Sequence, residues 1–344
     1  MSTFIQLHIL TSYAPSNLNR DDLGRPKTAK MGGFDRLRVS SQSLKRNWRV
    51  SDTFQEAMSG HIGIRSKRFG NQLFDALIAG GVKEKSATAW AGSIAAVFGK
   101  LKKGSLEIEQ LAHISPSEQA AAMALVNLLI DEQREATADE LKLLKADEMA
   151  VDIALFGRML ASSPEFNVEA ACQVAHAISV HSVVVEDDYF TAVDDLNDGK
   201  IDSGSAHIGE SGFAAAVFYS NICINKTQLT ENLNGNEALA NKAIQSLTEA
   251  AVKVSPKGKQ NSFASHAYAS YVLAEKGEQQ PRSLSASFLK PITGDDQVGL
   301  AIQALEQQVQ NFDKVYGECA DERYAMNAVA GEGRLVELLE FVTR

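Results

Sequence analysis

The chain has 344 residues, of which 44% are hydrophobic and 22% are charged, and its formal net charge at pH 7 is −9. This length is enough to bury a large core and to form two or more structural units. The sequence has no apolar run long enough to span a membrane, and its first residues lack the basic region and cleavage site of a signal peptide, so we expect neither a membrane span nor secretion.

Cysteine usage points to a reducing compartment. The three cysteines, Cys172, Cys223 and Cys319, are odd in number, widely spaced and outside any CxxC pattern. The sequence therefore predicts neither a disulfide framework nor a zinc site, and we expect a cytoplasmic protein without a cofactor.

The first segment, residues 1–58, begins with a predicted strand at residues 4–10. Residues 11–39 are predicted to form one long polar connection, and a connection of this length inside a domain is usually functional or mobile. A helix is predicted to begin at Ser40–Ser41, because a serine there can cap the first turn.

The second segment, residues 59–180, is rich in Ala and Leu and poor in turn signals, so we predict an all-α insertion. The third segment, residues 181–344, opens with two β-rich runs at 181–193 and 213–225 that are separated by a polar, glycine-rich extension. We predict that these runs are antiparallel strands and that the extension projects from the body. The remaining predicted elements are a helix at 226–253, strands near 263–275 and 283–289, and helices near 294–316 and 332–343.

Without the insertion, the predicted elements follow the order β-α-β-β-α-β, which is the ferredoxin-like plan. The predicted fold class is therefore α+β. Because this plan hosts many functions, the fold alone does not identify one.

Positive charge is concentrated at one end of this acidic chain. Residues 1–68 contain twelve Lys or Arg and five Asp or Glu, a balance of +7 in a chain of net charge −9. Such segregation indicates an anion site, and nucleic acid is the polyanion that best fits it.

The predicted helix after Ser41 has a basic face. At roughly 100° per residue, Gln42, Lys45, Arg46 and Arg49 fall within an arc of about 100°. Leu44 and Trp48 lie on the opposite side, where they can anchor the helix to a core. The first turn of a helix also offers backbone N–H groups to a phosphate. The alternative is an ordinary amphipathic helix with a solvated basic face, but this face has no carboxylate for pairing within the helix.

Seven separated blocks of the sequence resemble the CasC-type backbone subunit of the type I-E CRISPR Cascade complex, a member of the RAMP superfamily. The blocks, in order, are PSNLNRDD (15–22), GGFDRLRVSSQSLKR (32–46), DIALFGRM (152–159), AVDDL (192–196), GSAHIGE (204–210), FYSNICIN (218–225) and KGKQNSFA (257–264). The ordered set, and no single block, carries the resemblance.

The resemblance implies a palm with an RRM-like core, helical fingers and a β-hairpin thumb at residues 194–213. It also implies a non-catalytic protein whose copies stack into a helical filament along a guide crRNA in antiviral defence. In that arrangement the protein reads the phosphate backbone, thumbs displace bases periodically, and the free segments pair with target DNA. The implied partners are the guide crRNA, target DNA through the guide, other copies of the chain and other Cascade subunits.

The resemblance also implies a set of RNA-binding residues. Those on the N-terminal loop and helix are Arg20, Lys27, Ser40, Gln42, Lys45, Arg46 and Arg49. A second patch would comprise Lys257, Lys259, Gln260 and Asn261. The wedge that displaces a base would be Lys200 or Ile201 at the thumb tip, or Phe166 or Met159 reaching across from the fingers, although the last two residues also fit a core role.

Two other functions remain open from the residues. Backbone subunits of type III CRISPR complexes cut RNA with a loop aspartate, and Asp21, Asp22 and Asp35 occupy the corresponding loop here. A generic single-strand binder would need stacking aromatics on its central strands, and the predicted strands lack that pattern. Cys172 and His176 are spaced i,i+4 on a predicted helix, but no third ligand is evident, so no metal site is predicted.

Overall fold

The computed structural model describes residues 2–145, 149–192 and 207–344. Eleven strands lie in these ranges: β1 (Phe4–Ser16), β2 (Thr28–Met31), β3 (Phe34–Val39), β4 (Ile64–Ser66), β5 (Ala112–Ile114), β6 (Cys172–Val174), β7 (Ala177–Ser179), β8 (Glu186–Ala192), β9 (His207–Asn225), β10 (Tyr271–Gly277) and β11 (Glu322–Asn327).

The same ranges contain eleven α-helices: α1 (Ser41–Arg49), α2 (Asp52–Ala57), α3 (Phe69–Ala79), α4 (Glu84–Ala96), α5 (Pro116–Glu132), α6 (Val151–Phe156), α7 (Lys226–Asn232), α8 (Glu237–Lys253), α9 (Gln260–Phe263), α10 (Gln297–Tyr316) and α11 (Leu335–Thr343). Short 3₁₀ helices occur at Pro164–Phe166 and Ser285–Phe288. In these described residues no helix is long and apolar enough to cross a membrane.

Nine strands form one antiparallel sheet, in the order β11-β10-β1-β9-β7-β3-β2, with β6 and β8 also paired to β9. The 19-residue strand β9 organises this sheet. Its second half pairs with β1, and its first seven residues pair with β8 in a ladder from Glu186↔Phe213 to Ala192↔His207. The fold is therefore a mixed α+β structure, as predicted, and β8 and β9 are the antiparallel strands expected on either side of the polar extension.

The sheet is covered on both faces, because alternate side chains of a strand point to opposite faces. On one face, Ile5, Leu7 and Ile9 of β1 pack in a cluster with residues of α1, α2, α8 and α11. On the other face, Leu10 packs with Leu305 of α10. This arrangement holds α1 against the sheet while its outer side faces away from the core.

The interpretation of residues 11–39 as one long loop was wrong. Strand β1 continues to Ser16, and β2 and β3 form an antiparallel hairpin at the sheet edge. The turn uses Gly32 and Gly33, both with positive φ, and an added Cβ at Gly32 would come within 1.9 Å of the Leu289 carbonyl oxygen. Only glycine suits that approach. The Gly-Gly pair between two β-prone runs was the available hairpin signal.

The predicted helical insertion has its own core. Residues of α3, α4 and α5 form a separate hydrophobic cluster that includes Leu73, Trp90 and Leu129. The all-α prediction for 59–180 was wrong in two places. Strands β4 and β5 pair with each other inside the insertion. Strands β6 and β7 belong to the central sheet, so Cys172 and His176 do not lie on a helix.

The observed elements also differ from the predicted ones in the C-terminal third of the chain. The helix predicted at 226–253 is divided at residues 233–236 into α7 and α8. The strand predicted at 263–275 begins at Tyr271, residues 285–288 are 3₁₀ helix instead of strand, and β11 was not predicted. The helices predicted near 294–316 and 332–343 are confirmed as α10 and α11.

Candidate nucleic-acid interface

Helix α1 has the amphipathic geometry that the sequence predicts. Ser40 is the N-cap, with φ −68° and ψ 145°, and its Oγ accepts a hydrogen bond from the Ser43 N–H at 3.3 Å. Leu44 and Trp48 are buried against the sheet. Ser40 itself is buried, so its hydroxyl serves the helix cap.

The basic face of α1 forms one wall of a cleft of about 250 Å³. The cleft is lined by Gln42, Lys45, Arg46, Arg49, Arg65, Leu111, His113, Phe156 and Gly157. Four residues predicted from helical periodicity are therefore brought to one concave surface. The opposite wall comes from the insertion, including Phe156 at the end of α6.

Lys45 and Arg46 are the cations of α1 that face this cleft without a counter-ion. The Lys45 Nζ lies 5.6 Å from the centre of the Phe156 ring, within the range of a cation–π contact. Arg46 is exposed. Neither residue forms an ion pair with any part of the chain that the structure describes.

Arg49 is committed to a buried carboxylate. Its Nε lies 2.5 Å from Asp152 Oδ2, and its Nη2 donates to the Gly63 carbonyl at 2.7 Å. Asp152 is fully buried and also accepts from His113 Nε2 at 2.7 Å and from the Gly63 N–H at 2.9 Å. Burial alone would raise the pKa of Asp152, but the hydrogen bonds and charges of His113 and Arg49 outweigh it and lower that pKa. Arg49 therefore joins the helix to the insertion.

The first turn of α1 is already hydrogen-bonded. The Ser41 N–H donates to His176 Nδ1 at 2.9 Å, and the Ser40 N–H donates to Asn19 Oδ1 at 2.9 Å. Burial lowers the pKa of His176, and the nearby charges of Arg38 and Lys27 lower it further. Fewer backbone N–H groups are therefore free to bind a phosphate at this end of the helix than the sequence predicts. Lys27 lies close to the same end.

The loop that carries Arg20 and Lys27 is held by backbone hydrogen bonds. Arg20 is exposed and forms an isolated β-bridge with Pro26. The Lys27 N–H donates to the Asn19 carbonyl at 2.8 Å, and the Lys27 carbonyl accepts from the Arg38 N–H at 2.8 Å. The loop therefore presents both predicted cations from a defined backbone.

Not every cation of this region faces solvent. Arg36 is fully buried and donates to the carbonyls of Ser179 and Phe288 at 2.9 and 2.8 Å. It holds the 3₁₀ segment Ser285–Phe288 against the sheet and does not reach solvent. Arg25 forms an ion pair with Asp187 at 2.9 Å, which links the loop to β8.

The second predicted patch lies against α1 and the base of the β8–β9 hairpin. The Lys257 N–H donates to Asn47 Oδ1 at 3.2 Å, and Lys259 Nζ donates to Ser211 Oγ at 2.7 Å. Gln260 contacts His266 at 3.4 Å, and Asn261 is exposed. The patch is thus joined by direct contacts to both α1 and β9.

The candidate wedge residues differ in exposure. Met159 is 81% exposed, so a core role for it was wrong. Phe166 is half-buried in the 3₁₀ turn that follows. Lys200 and Ile201 lie outside the described residues.

Two of the three aspartates of the nuclease alternative have local partners. Asp21 Oδ1 accepts the N–H groups of Leu23 and Arg25 at 2.9 Å each, and Asp35 forms an ion pair with Lys30 at 2.9 Å. Within residues 2–145, 149–192 and 207–344, no group of three or more His, Cys, Asp or Glu side chains is placed to hold a metal ion.

Sequence reasoning missed the far wall of the cleft. Arg65 and His113 are register partners in the β4–β5 pair, while Asp152 and Phe156 come from α6. No local pattern distinguishes these residues from other members of a helix-rich region. The block at 152–159 was the only signal, because it carries two of them.

Comparison with known proteins gives a family and a full-length structural likeness. The family described as CT1975-like protein matches residues 5–339. A chain of a "CRISPR RNA-guided surveillance complex, pre-nicking" is 28% identical, has a TM-score of 0.84, and is matched over 99% of both chains. A chain of a "CRISPR RNA-guided surveillance complex" has a TM-score of 0.74 at 23% identity, again over 99% of both, which supports the fold alone. No match was found among curated protein sequences.

Proposed function

Because the chain belongs to the CT1975-like protein family, we propose that it is a CasC-type backbone subunit of a type I-E CRISPR Cascade complex. In this role it binds the phosphate backbone of a guide RNA, and its copies stack along that RNA as a filament. It performs no catalysis, and base pairing of the guide with target DNA supplies the sequence specificity.

The observation that carries this proposal is the full-length likeness to the chain of a surveillance complex, at 28% identity and a TM-score of 0.84. The likeness extends over 99% of both chains, so it includes the insertion as well as the central sheet. Shared architecture at this level favours a shared place in such an assembly, although a fold alone would not.

We interpret the central sheet as a ferredoxin-like palm. Four of its strands are neighbours in the order β10-β1-β9-β7, α1 follows β1 after the β2–β3 hairpin, and α8 lies between β9 and β10 in the chain. The insertion would be the fingers and the β8–β9 hairpin the thumb. The β8–β9 ladder begins at Glu186, so we propose a thumb that includes Glu186–Ala192 in addition to residues 194–213.

The side chains of the candidate interface favour recognition of the RNA phosphate backbone instead of the bases. Lys45 and Arg46 present charge on a rigid helix, and phosphate is the part of RNA that is common to every guide sequence. The exposed Met159 is a better wedge candidate than the half-buried Phe166, since a displaced base needs accessible apolar surface.

The test is a salt titration of labelled single-stranded RNA with the purified protein and with the K45Q/R46Q variant. Removing one phosphate-binding cation should reduce the slope of log K against log[salt] by about 0.7, so this double variant should reduce it by about 1.4. The reduction should be equal for two unrelated RNA sequences. The control is R68Q/K102Q, which removes the same charge from two residues that are ion-paired to Glu107.

Three outcomes contradict the proposal in different ways. An equal reduction of the salt slope in the control variant would show that the effect comes from the loss of net charge and not from a specific site. Weaker binding to one RNA sequence only would indicate base reading. Regularly spaced cleavage of the RNA in magnesium, abolished by Asp35→Ala, would favour the nuclease alternative.

A further inference from the structure

We propose that Arg65 is a phosphate-binding residue supplied by the insertion, and that one phosphodiester of the guide RNA is held between Arg65 on one side and Lys45 and Arg46 on the other. The inference rests on the proposed function and adds a second wall to the site. Helix α1 and strand β4, which come from two parts of the chain, would thus contact the same RNA phosphate backbone.

The ion pairs of the insertion distinguish Arg65 from Arg68, Lys100 and Lys102. Arg68 and Lys102 pair with Glu107 at 3.5 and 2.6 Å, and Lys100 pairs with Glu109 at 3.0 Å. Arg65 is exposed and has no ion pair among the residues that the structure describes. Its positive charge is therefore available to a ligand, whereas those of Arg68, Lys100 and Lys102 are already balanced.

The cleft concentrates uncompensated charge. Arg65, Lys45 and Arg46 line it together, and the charge of Arg49 is balanced by the buried Asp152. Three cations without counter-ions repel one another, and an anion between them removes that repulsion. The structure therefore favours an anionic occupant on electrostatic grounds.

The position of Arg65 is fixed relative to α1. Arg65 lies opposite His113 in the β4–β5 register. Asp152 binds His113, Arg49 of α1 and the Gly63 N–H at once. These bonds tie the short strands to α1, so Arg65 needs little rearrangement to act with Lys45.

The cleft suits a nucleotide backbone better than a bare inorganic anion. Leu111 is 55% exposed and Phe156 lies beneath Lys45, so apolar surface adjoins the cations. A phosphodiester brings a sugar beside its charge, and this surface can pack against it. Gln42 adds a polar side chain to the same cleft.

The test compares R65Q with R68Q in the same salt titration, using a single-stranded RNA of mixed sequence and the full-length protein. The two variants remove equal charge from the same part of the insertion, but only Arg65 lines the cleft. We expect R65Q to reduce the salt slope by about 0.7 and R68Q to leave it unchanged. R65K should restore most of the slope, because it restores the charge.

A thermal unfolding curve shows whether R65Q is folded, and R65K gives a second measurement if it is not. An unchanged slope in R65Q, with a reduced slope in K45Q/R46Q, would overturn this inference and leave the proposed function standing. Failure of the unaltered protein to bind RNA at low salt would overturn both. Equal reductions in R65Q and R68Q would make the effect one of net charge and also reject the inference.

Discussion

At the scale of single residues, the interface depends on which cations are balanced internally. Arg49 and Arg36 look like members of the basic segment, but Arg49 binds the buried Asp152 and Arg36 binds buried carbonyls. Lys45 and Arg46 keep their charge for the cleft. Helical periodicity places side chains on a face but does not show which of them find partners across it.

Replacing Asp152 by Asn should destabilise the protein strongly. The substitution keeps the size of the side chain but leaves Arg49 without its buried counter-ion, which typically costs about 3–5 kcal/mol. Urea unfolding at neutral pH measures the change. The control is Asp139→Asn, since that aspartate forms a highly exposed pair with Lys142 and should cost about 0–1 kcal/mol. Similar values for the two variants would reject a supporting role for Asp152.

At the scale of secondary-structure elements, strand β9 belongs both to the central sheet and to the hairpin with β8. Its residues from Ala214 onward pair with β1 in the centre of the sheet, and its first seven residues pair with β8 at the periphery of the same sheet. All seven residues of β8 are exposed, so this hairpin contributes little to the core. We therefore expect that this hairpin can be altered without loss of the core.

Replacing residues 193–206 by Asn-Gly should spare folding and abolish base displacement. Ala192 and His207 are register partners, so a two-residue turn can close the ladder between them. The thermal transition should be unchanged. A guide RNA carrying 2-aminopurine should lose the fluorescence increase that accompanies an unstacked base in the assembled complex. If the increase persists in the variant, the hairpin is not the wedge.

At the scale of the whole molecule, a buried polar network joins the elements on the α10 side of the sheet. Glu275 of β10 accepts from Arg282 and Arg323 at 2.7 Å each and lies 3.2 Å from His8 of β1. His8 Nδ1 also lies 2.9 Å from the Tyr219 hydroxyl of β9. Three neighbouring strands are thereby fixed in register by charge as well as by their backbone ladders.

Glu275 should make this protein sensitive to acid. Burial alone would raise the pKa of Glu275, but hydrogen bonds from His8 and Arg282, with the charges nearby, lower it from 4.5 to about 2. A depressed carboxyl pKa stabilises the fold above the unfolded value, and that contribution, about 3 kcal/mol here, is lost as the pH falls from 4.5 towards 2.

The measurement is the free energy of unfolding of the unaltered protein and of E275Q at several pH values. The difference should be large at pH 7 and should shrink as the pH falls through that window. Glu249→Gln is the control, because Glu249 forms a partly exposed i,i+4 pair with Lys253. A difference that does not change with pH would contradict the assignment.

The sequence by itself determined the features that depend on local order. Hydrophobic periodicity specified α1 and its basic face, Ser40 specified the cap, and β-rich runs on both sides of a polar stretch specified the β8–β9 hairpin. The ordered blocks identified the family. These features are set by residues close together in the chain, so local propensity and spacing were enough.

The tertiary structure alone decided how distant segments meet. It placed β6 and β7 in the sheet, paired Arg49 with Asp152, and brought Arg65 to the cleft of Lys45 and Arg46. Partners so far apart in sequence leave no local pattern, because their contact depends on packing of the whole chain. The sequence therefore predicted where positive charge is concentrated. Burial and ion pairing in the folded molecule decided which of those charges are available to a ligand.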